Sequence, residues 1–168
     1  MRPVKAIIFE PAGCLAEFPP GPFDELALVD SANLYEDVIP ALSELKSMGI
    51  AMFIASSLSR ATIVRFVEQH GLHEFFSDVW GGDVPLRKAI EAAQLDPERT
   101  IFLTDTAEGL KAAKDAGVDP ILMMNDPDKA QRLVMQGPAG GIVSLHELPD
   151  FVRLVGTASI QTSVPLRN

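Results

Sequence analysis

Apolar positions along this chain come in two patterns, short continuous runs and longer helical repeats, and the two alternate. Ala6 to Phe9 is a run of β-branched and aromatic residues that reads as a buried strand, closed at once by Pro11 and Gly13. Runs of the same kind follow at Ile50 to Ala55, Phe75 to Trp80, Thr100 to Leu103, Pro120 to Met124 and Ile142-Val143. Between them lie helical spacings. Val38, Leu42, Leu45 and Met48 predict a helix over Leu34 to Met48, with Gly49 as its stop. Ser59 is placed to cap a helix whose buried face is Ile63, Phe66 and Val67 and which ends at Gly71. Further helices are predicted from near Pro85 to Leu95, Glu108 to Ala116 before Gly117, Lys129 to Met135, and Leu145 to Leu154. Glu17 to Leu28 is rich in Pro and Gly and reads as a loop with a short helix around Asp24 to Leu28.

Strands alternate with helices throughout. Parallel strands need such crossovers, so the pattern predicts a three-layer α/β/α sandwich around a mostly parallel, Rossmann-like sheet. One domain is expected over residues 1–155, and the polar stretch 156–168 is expected to be an extended or mobile tail.

Composition narrows the picture. With 168 residues, 47% of them hydrophobic and 22% charged, the chain is expected to be soluble and globular with a substantial core. A net charge of −9 argues against nucleic acid or an anionic membrane as partner, and it repels phosphorylated ligands unless a metal or local basic groups offset it. The single cysteine, Cys14, allows no internal disulfide, which fits a reducing cytoplasm, and reads as a small buried filler. The apolar run at the N-terminus is too short for a signal peptide, and no run approaches a membrane span. His70, His73 and His146 have no metal-ligand spacing, so solvated or capping roles are expected.

Three polar clusters stand just after strands: Glu10, Ser56-Ser57 and Asp105. In an open parallel sheet these ends share one edge, where ligands bind. Two carboxylates meeting there repel, and Mg²⁺ between them offsets the repulsion. A Ser56 hydroxyl and N–H groups at nearby helix starts can then hold a phosphate. Asp after a strand is also a routine helix cap, and serines there are routine turn residues. Glu10 is a poor turn former before Pro-Ala-Gly, so its position asks for another reason. Phe18, Pro19, Pro20, Pro22 and Phe23 form an apolar, rigid loop near this mouth, a candidate contact surface for a partner.

The order of motifs, KAIIFEPAGCL, IASS, FFSDVWGGD and IFLTDTAEGLKAAKDAG, resembles the haloacid dehalogenase superfamily of phosphatases and related hydrolases over about residues 4 to 155. The resemblance implies roles residue by residue. Glu10 stands for the family's nucleophilic Asp and Ala12 for its general acid/base Asp. Ser56 stands for the phosphate-binding Ser or Thr, and Asp105 for the metal-binding Asp. The phosphate-neutralising Lys has Lys88 as its nearest candidate, late and inside a helix beside Arg87. The position of a second acid four residues after Asp105 is Gly109, with Glu108 one place early. Mg²⁺ in the family is held by the first carboxylate, the backbone carbonyl two residues on, and the later Asp, which here implies Glu10, Ala12 and Asp105. The segment from Leu15 to Leu34 is too short for a helical cap, so the resemblance implies a capless member with an open site. A phosphorylated small molecule, a protein, or a second copy forming a homodimer are the partners this leaves.

The departures have physical weight. Glu is one methylene longer than Asp and shifts the attacking oxygen by roughly an ångström, a misplacement that can cost about a hundredfold. Ala12 removes proton transfer to the leaving group, typically worth about 10² to 10⁴. A displaced Lys weakens stabilisation of the transferring group. Together they predict a domain with lost or strongly reduced phosphohydrolase activity and a binding or regulatory role. The alternative is an active Mg²⁺-dependent hydrolase using Glu10.

Overall fold

A computed structural model describes residues 2–20, 24–82 and 84–161. Six parallel strands form the main sheet: β1 (Ala6–Phe9), β4 (Ala51–Ala55), β5 (Asp78–Trp80), β6 (Thr100–Thr104), β7 (Asp119–Met123) and β8 (Gly140–Ile142). Their spatial order is β5-β4-β1-β6-β7-β8. The chain runs outward from β1 on one side and then crosses to run outward on the other. β1 therefore sits at the topological switch point, where open sheets carry their ligands.

The central strands are apolar on both faces because helices cover both. All four residues of β1 and all five of β6 are buried. On one face Ile7, Phe9, Met52, Ile54, Ile101 and Leu103 pack against α2 (Val38–Ser47), α3 (Arg60–Gln69) and α7 (Leu148–Gln161). On the other, Ala6, Ile8, Phe53 and Phe102 meet α4 (Leu86–Ala92) and α5 (Ala107–Ala116) through Ile90, Ala113 and Ala116. This is the pleat's alternation of side chains, read directly from the strand sequences.

Several boundaries differ from the sequence reading. The second helix starts at Val38 instead of Leu34, because Asn33–Leu34 (β3) pairs antiparallel with Ala16–Glu17 (β2) and draws that stretch into a small second sheet. The third sheet strand begins only at Asp78. Phe75 and Phe76 precede it in a turn, where Phe75 donates its backbone N–H to Leu72 and Phe76 packs edge-on against Phe9. α6 (Pro127–Val134) starts two residues earlier than Lys129, since Pro127 fits the first helical position and Asp126 caps it. α7 passes through Gly156 to Gln161, so the expected tail begins as helix. The rest of that tail, along with Pro22 and Phe23 of the apolar loop, lies outside the described residues. Ser59 caps α3 by accepting from the Thr62 N–H, as its position predicts. The short helix expected near Asp24 is α1 (Glu25–Asp30), capped by Asp24. No helix among the described residues is long and apolar enough to cross a membrane.

Candidate active site

Strand register builds the site. Phe9 pairs with Ile54 of β4 and with Leu103 of β6, so the next residue along β1, Glu10, emerges level with Thr104. The Glu10 N–H donates to the Leu103 carbonyl at 3.0 Å and fixes that level. Beyond it the chain folds back tightly. The N–H groups of Cys14, Leu15 and Ala16 all point at the Pro11 carbonyl, and Gly13 takes φ +78°. Glu10, Ser56 and Asp105 thus share one edge of the sheet, as their positions after strands predict.

Glu10 is seated against the start of α5. The Thr104 hydroxyl donates to its Oε2 at 2.9 Å and the Thr106 hydroxyl to its Oε1 at 3.1 Å. Thr106 also caps α5 by accepting from the Gly109 N–H. Gly109 is what makes room. A Cβ there would lie 1.9 Å from Thr104 Oγ1 and 2.6 Å from Glu10 Oε2. The residue that stands where the family often has a second acid is therefore the floor of the Glu10 seat. Burial raises the Glu10 pKa from the usual 4.5 to about 7; the Thr104 hydroxyl pulls against that rise and the Asp105 charge adds to it.

Asp105 is only 8% exposed and turns the other way. Its Oδ2 accepts from Lys129 Nζ at 2.9 Å. Its carboxylate lies directly over Gly13, where a Cβ would come within 2.1 Å of Oδ2. From the same loop that leads to Lys129, Asn125 donates its side-chain amide to the Gly13 carbonyl at 2.6 Å. In the sequence Lys129 reads only as the start of a helix, with no role in the site. The signal that finds it is electrostatic: a cation in the first turn of a helix opposes the helix dipole and needs a reason to be there.

A cavity of about 680 Å³ opens beside Glu10, lined by Ala12, Ser56, Trp80, Thr106 and Glu108 among others. Its walls are mostly apolar, with Phe18, Leu28, Leu58 and Phe102 contributing. Trp80 stacks on Phe53 at 4.8 Å, and Phe18 leans on Phe66 at 5.8 Å. Ala12 lines the cavity with a methyl group, which has no acidic proton to transfer. Ser56 anchors its own loop, its hydroxyl accepting from the Leu58 N–H at 3.1 Å. Lys88 does not join the site: it is exposed on α4 and is not among the lining residues. The helical turn that buries Ala89 and Ile90 against the sheet leaves Lys88 facing solvent. Among the described residues, no Lys or Arg lines the cavity. Cys14 is fully buried and burial pushes its thiol well above its ordinary pKa, consistent with a filler.

The rim is closed on one side by α1. Its Glu25 accepts from the Ser59 N–H and, at 2.7 Å, from the Thr62 hydroxyl, while Asp30 pairs with Arg65 at 2.7 and 2.9 Å. Leu28 of α1 then faces the cavity.

The set expected to hold Mg²⁺ does not fit that ion here. Both Glu10 oxygens accept from hydroxyls, Asp105 is paired with an ammonium, and the two carboxylates face different partners. Among the described residues, no group of three His, Cys, Asp or Glu side chains is placed to hold a metal.

The model of the haloacid dehalogenase-like hydrolase family matches residues 24–123, a span that begins after the Glu10 loop. The phosphoglycolate phosphatase of Vibrio cholerae is 32% identical over 95 residues, covering 51% of this chain and 42% of that protein. The phosphoglycolate phosphatase of Vibrio parahaemolyticus is 30% identical over 130 residues, covering 72% and 57%. The chain thus spans about half the length of the curated relatives it matches. Among solved structures, a haloacid dehalogenase-like hydrolase from Streptococcus pneumoniae superposes with a TM-score of 0.77 at 17% identity, covering 90% of this chain and 99% of that one. The L-2-haloacid dehalogenase of Xanthobacter autotrophicus, with chloropropionic acid covalently bound, gives 0.71 at 14% identity, covering 89% and 98%. With the sheet order, the strand-end site and the matched span in agreement, this chain belongs to the haloacid dehalogenase-like hydrolase family.

Proposed function

We propose that this domain is a ligand-binding member of its family whose phosphohydrolase activity is lost or strongly reduced. The observation that carries this is the charge of the cavity: it presents Glu10 and Glu108 and, among the described residues, no basic side chain. A phosphoryl group arrives with negative charge, and its transfer depends on cationic stabilisation. The Lys129 ammonium is paired with Asp105 and does not line the cavity. Each Glu10 oxygen already accepts a hydroxyl hydrogen bond, which lowers its nucleophilicity. Ala12 offers the leaving group no proton. These deficits reinforce one another but do not multiply, because such groups act as a unit.

A cavity of this size suits a small molecule. Its apolar walls and acidic floor favour an uncharged ligand with a hydrogen-bond donor for Glu10 over a phosphorylated one. An inserted segment of a partner protein, or of a second copy, meets the same chemistry.

A second reading is an active hydrolase in which Glu10 serves as base for water. Two observations favour it: a pKa of about 7 suits a general base, and the relatives named above are phosphatases. Turnover of p-nitrophenyl phosphate with Mg²⁺, by the native protein and by Glu10→Gln, separates the two. Under the proposed reading turnover is absent, or residual and the same in both proteins. Turnover by the native chain that Glu10→Gln abolishes establishes the second reading instead.

A further inference from the structure

We infer that the Lys129 ammonium is the resident cation of this site: it neutralises Asp105 in place of a divalent ion, and removing it opens a cation site on that carboxylate. The inference concerns charge balance and does not depend on whether the domain hydrolyses anything.

Asp105 is nearly sealed from solvent, and a carboxylate so placed needs a positive partner. Lys129 Nζ supplies it at 2.9 Å, from a side chain about one-third exposed. The surrounding structure is arranged to deliver that amine. Asp126 caps α6 by accepting from the N–H groups of Asp128 and Lys129, which sets the first turn and the Lys129 backbone. Asn125, just before the cap, ties the same loop to the Gly13 carbonyl. Gly13 in turn gives the Asp105 carboxylate space to lie against the backbone. A cation at the N-terminal turn opposes the α6 dipole, so the ion pair with Asp105 is what repays this placement. An incoming metal must therefore displace a tethered cation whose local concentration is fixed by the fold.

The test is Mn²⁺ binding, followed by electron paramagnetic resonance, with folding checked by circular dichroism. Four proteins are compared: the native chain, Lys129→Met, Lys129→Gln, and the paired Lys129→Met/Asp105→Asn. The native chain is expected to bind Mn²⁺ weakly. Each single variant is expected to bind on the order of tenfold more tightly or better, a difference of about 1.4 kcal/mol. The paired variant is expected to lose that gain, which assigns the ligand to Asp105. The glutamine variant keeps length and polarity should methionine compromise folding. Single variants that fold only when Mn²⁺ is added also support the inference. Three results overturn it: native affinity equal to that of the single variants, folded single variants with no gain, or single variants that stay unfolded with Mn²⁺ while the paired variant folds.

Discussion

Glu10 and Asp105 end neighbouring strands and feel each other's charge, yet the fold treats them in opposite ways. Asp105 is ionically paired and turned from the cavity; Glu10 faces the cavity and is held by neutral hydroxyls. Each lies over a glycine, Asp105 over Gly13 in a left-handed turn and Glu10 over Gly109 in a helix. The difference teaches what a single fixed cation does. It pairs directly with one carboxylate, and the other, held by neutral hydroxyls, is left to burial, which raises its pKa to about 7.

The largest expected effect falls on the Asp105 side. Gly13→Ala meets both a positive φ and a carboxylate at 2.1 Å, and should cost about 4 kcal/mol in urea unfolding. A loss below about 1 kcal/mol would mean that the turn and the Asp105–Lys129 pair are not locked together.

Next comes the Glu10 side, through pH. With its folded pKa raised from 4.5 to about 7, Glu10 binds a proton more tightly in the folded chain than in the unfolded one. Its stabilising contribution is therefore complete below 4.5 and lost as pH climbs through about 7, a swing of about 3 kcal/mol. Glu10→Gln removes the swing, so near about pH 8 the variant should exceed the native chain in urea stability by a similar amount, with the gap closing in acid. Parallel pH profiles for the two proteins would refute the assignment.

Smaller again is Lys129→Met, expected to cost about 2 kcal/mol, between the exposed and fully buried limits for a broken pair. Adding Asp105→Asn should recover most of it, which a double-mutant cycle measures. The smallest is Gly109→Ala. Crowding of Thr104 and Glu10 is offset by about 1 kcal/mol of helix propensity, leaving a net loss of about 1 kcal/mol. Because the displaced group is Glu10, this variant should also shift the pH profile of stability, whereas Lys129→Met in the paired background should not.

Much of the fold is legible in the sequence because its strands are short apolar runs bounded by turn residues, and α1, α3, α5 and α6 carry capping side chains. The shared edge of Glu10, Ser56 and Asp105 followed from that alternation. What escaped depended on contacts distant in sequence. β2 and β3 are two residues each and exist only as a pair. Lys129 reaches Asp105 across 24 residues, with no motif joining them. Lys88 lies near a family position in the sequence, but the helix phase that buries Ala89 and Ile90 turns it outward. The seat of Glu10 was half visible: Thr104 and Thr106 flank Asp105 in sequence, yet only the β1–β6 register brings them to the glutamate.

Asn125 fastens the loop after β1 to the start of α6 across 112 residues of sequence, and Lys129 fastens α6 to the Asp105 carboxylate that lies over Gly13, so the two segments are coupled. Neither can fray alone, because opening the Gly13 turn exposes the Asp105 carboxylate and strains the amide that grips its carbonyl. Amide exchange in Gly13 to Ala16 should therefore be slow and rise in step with that of α6, as one opening unit tying an early segment of the chain to a late one.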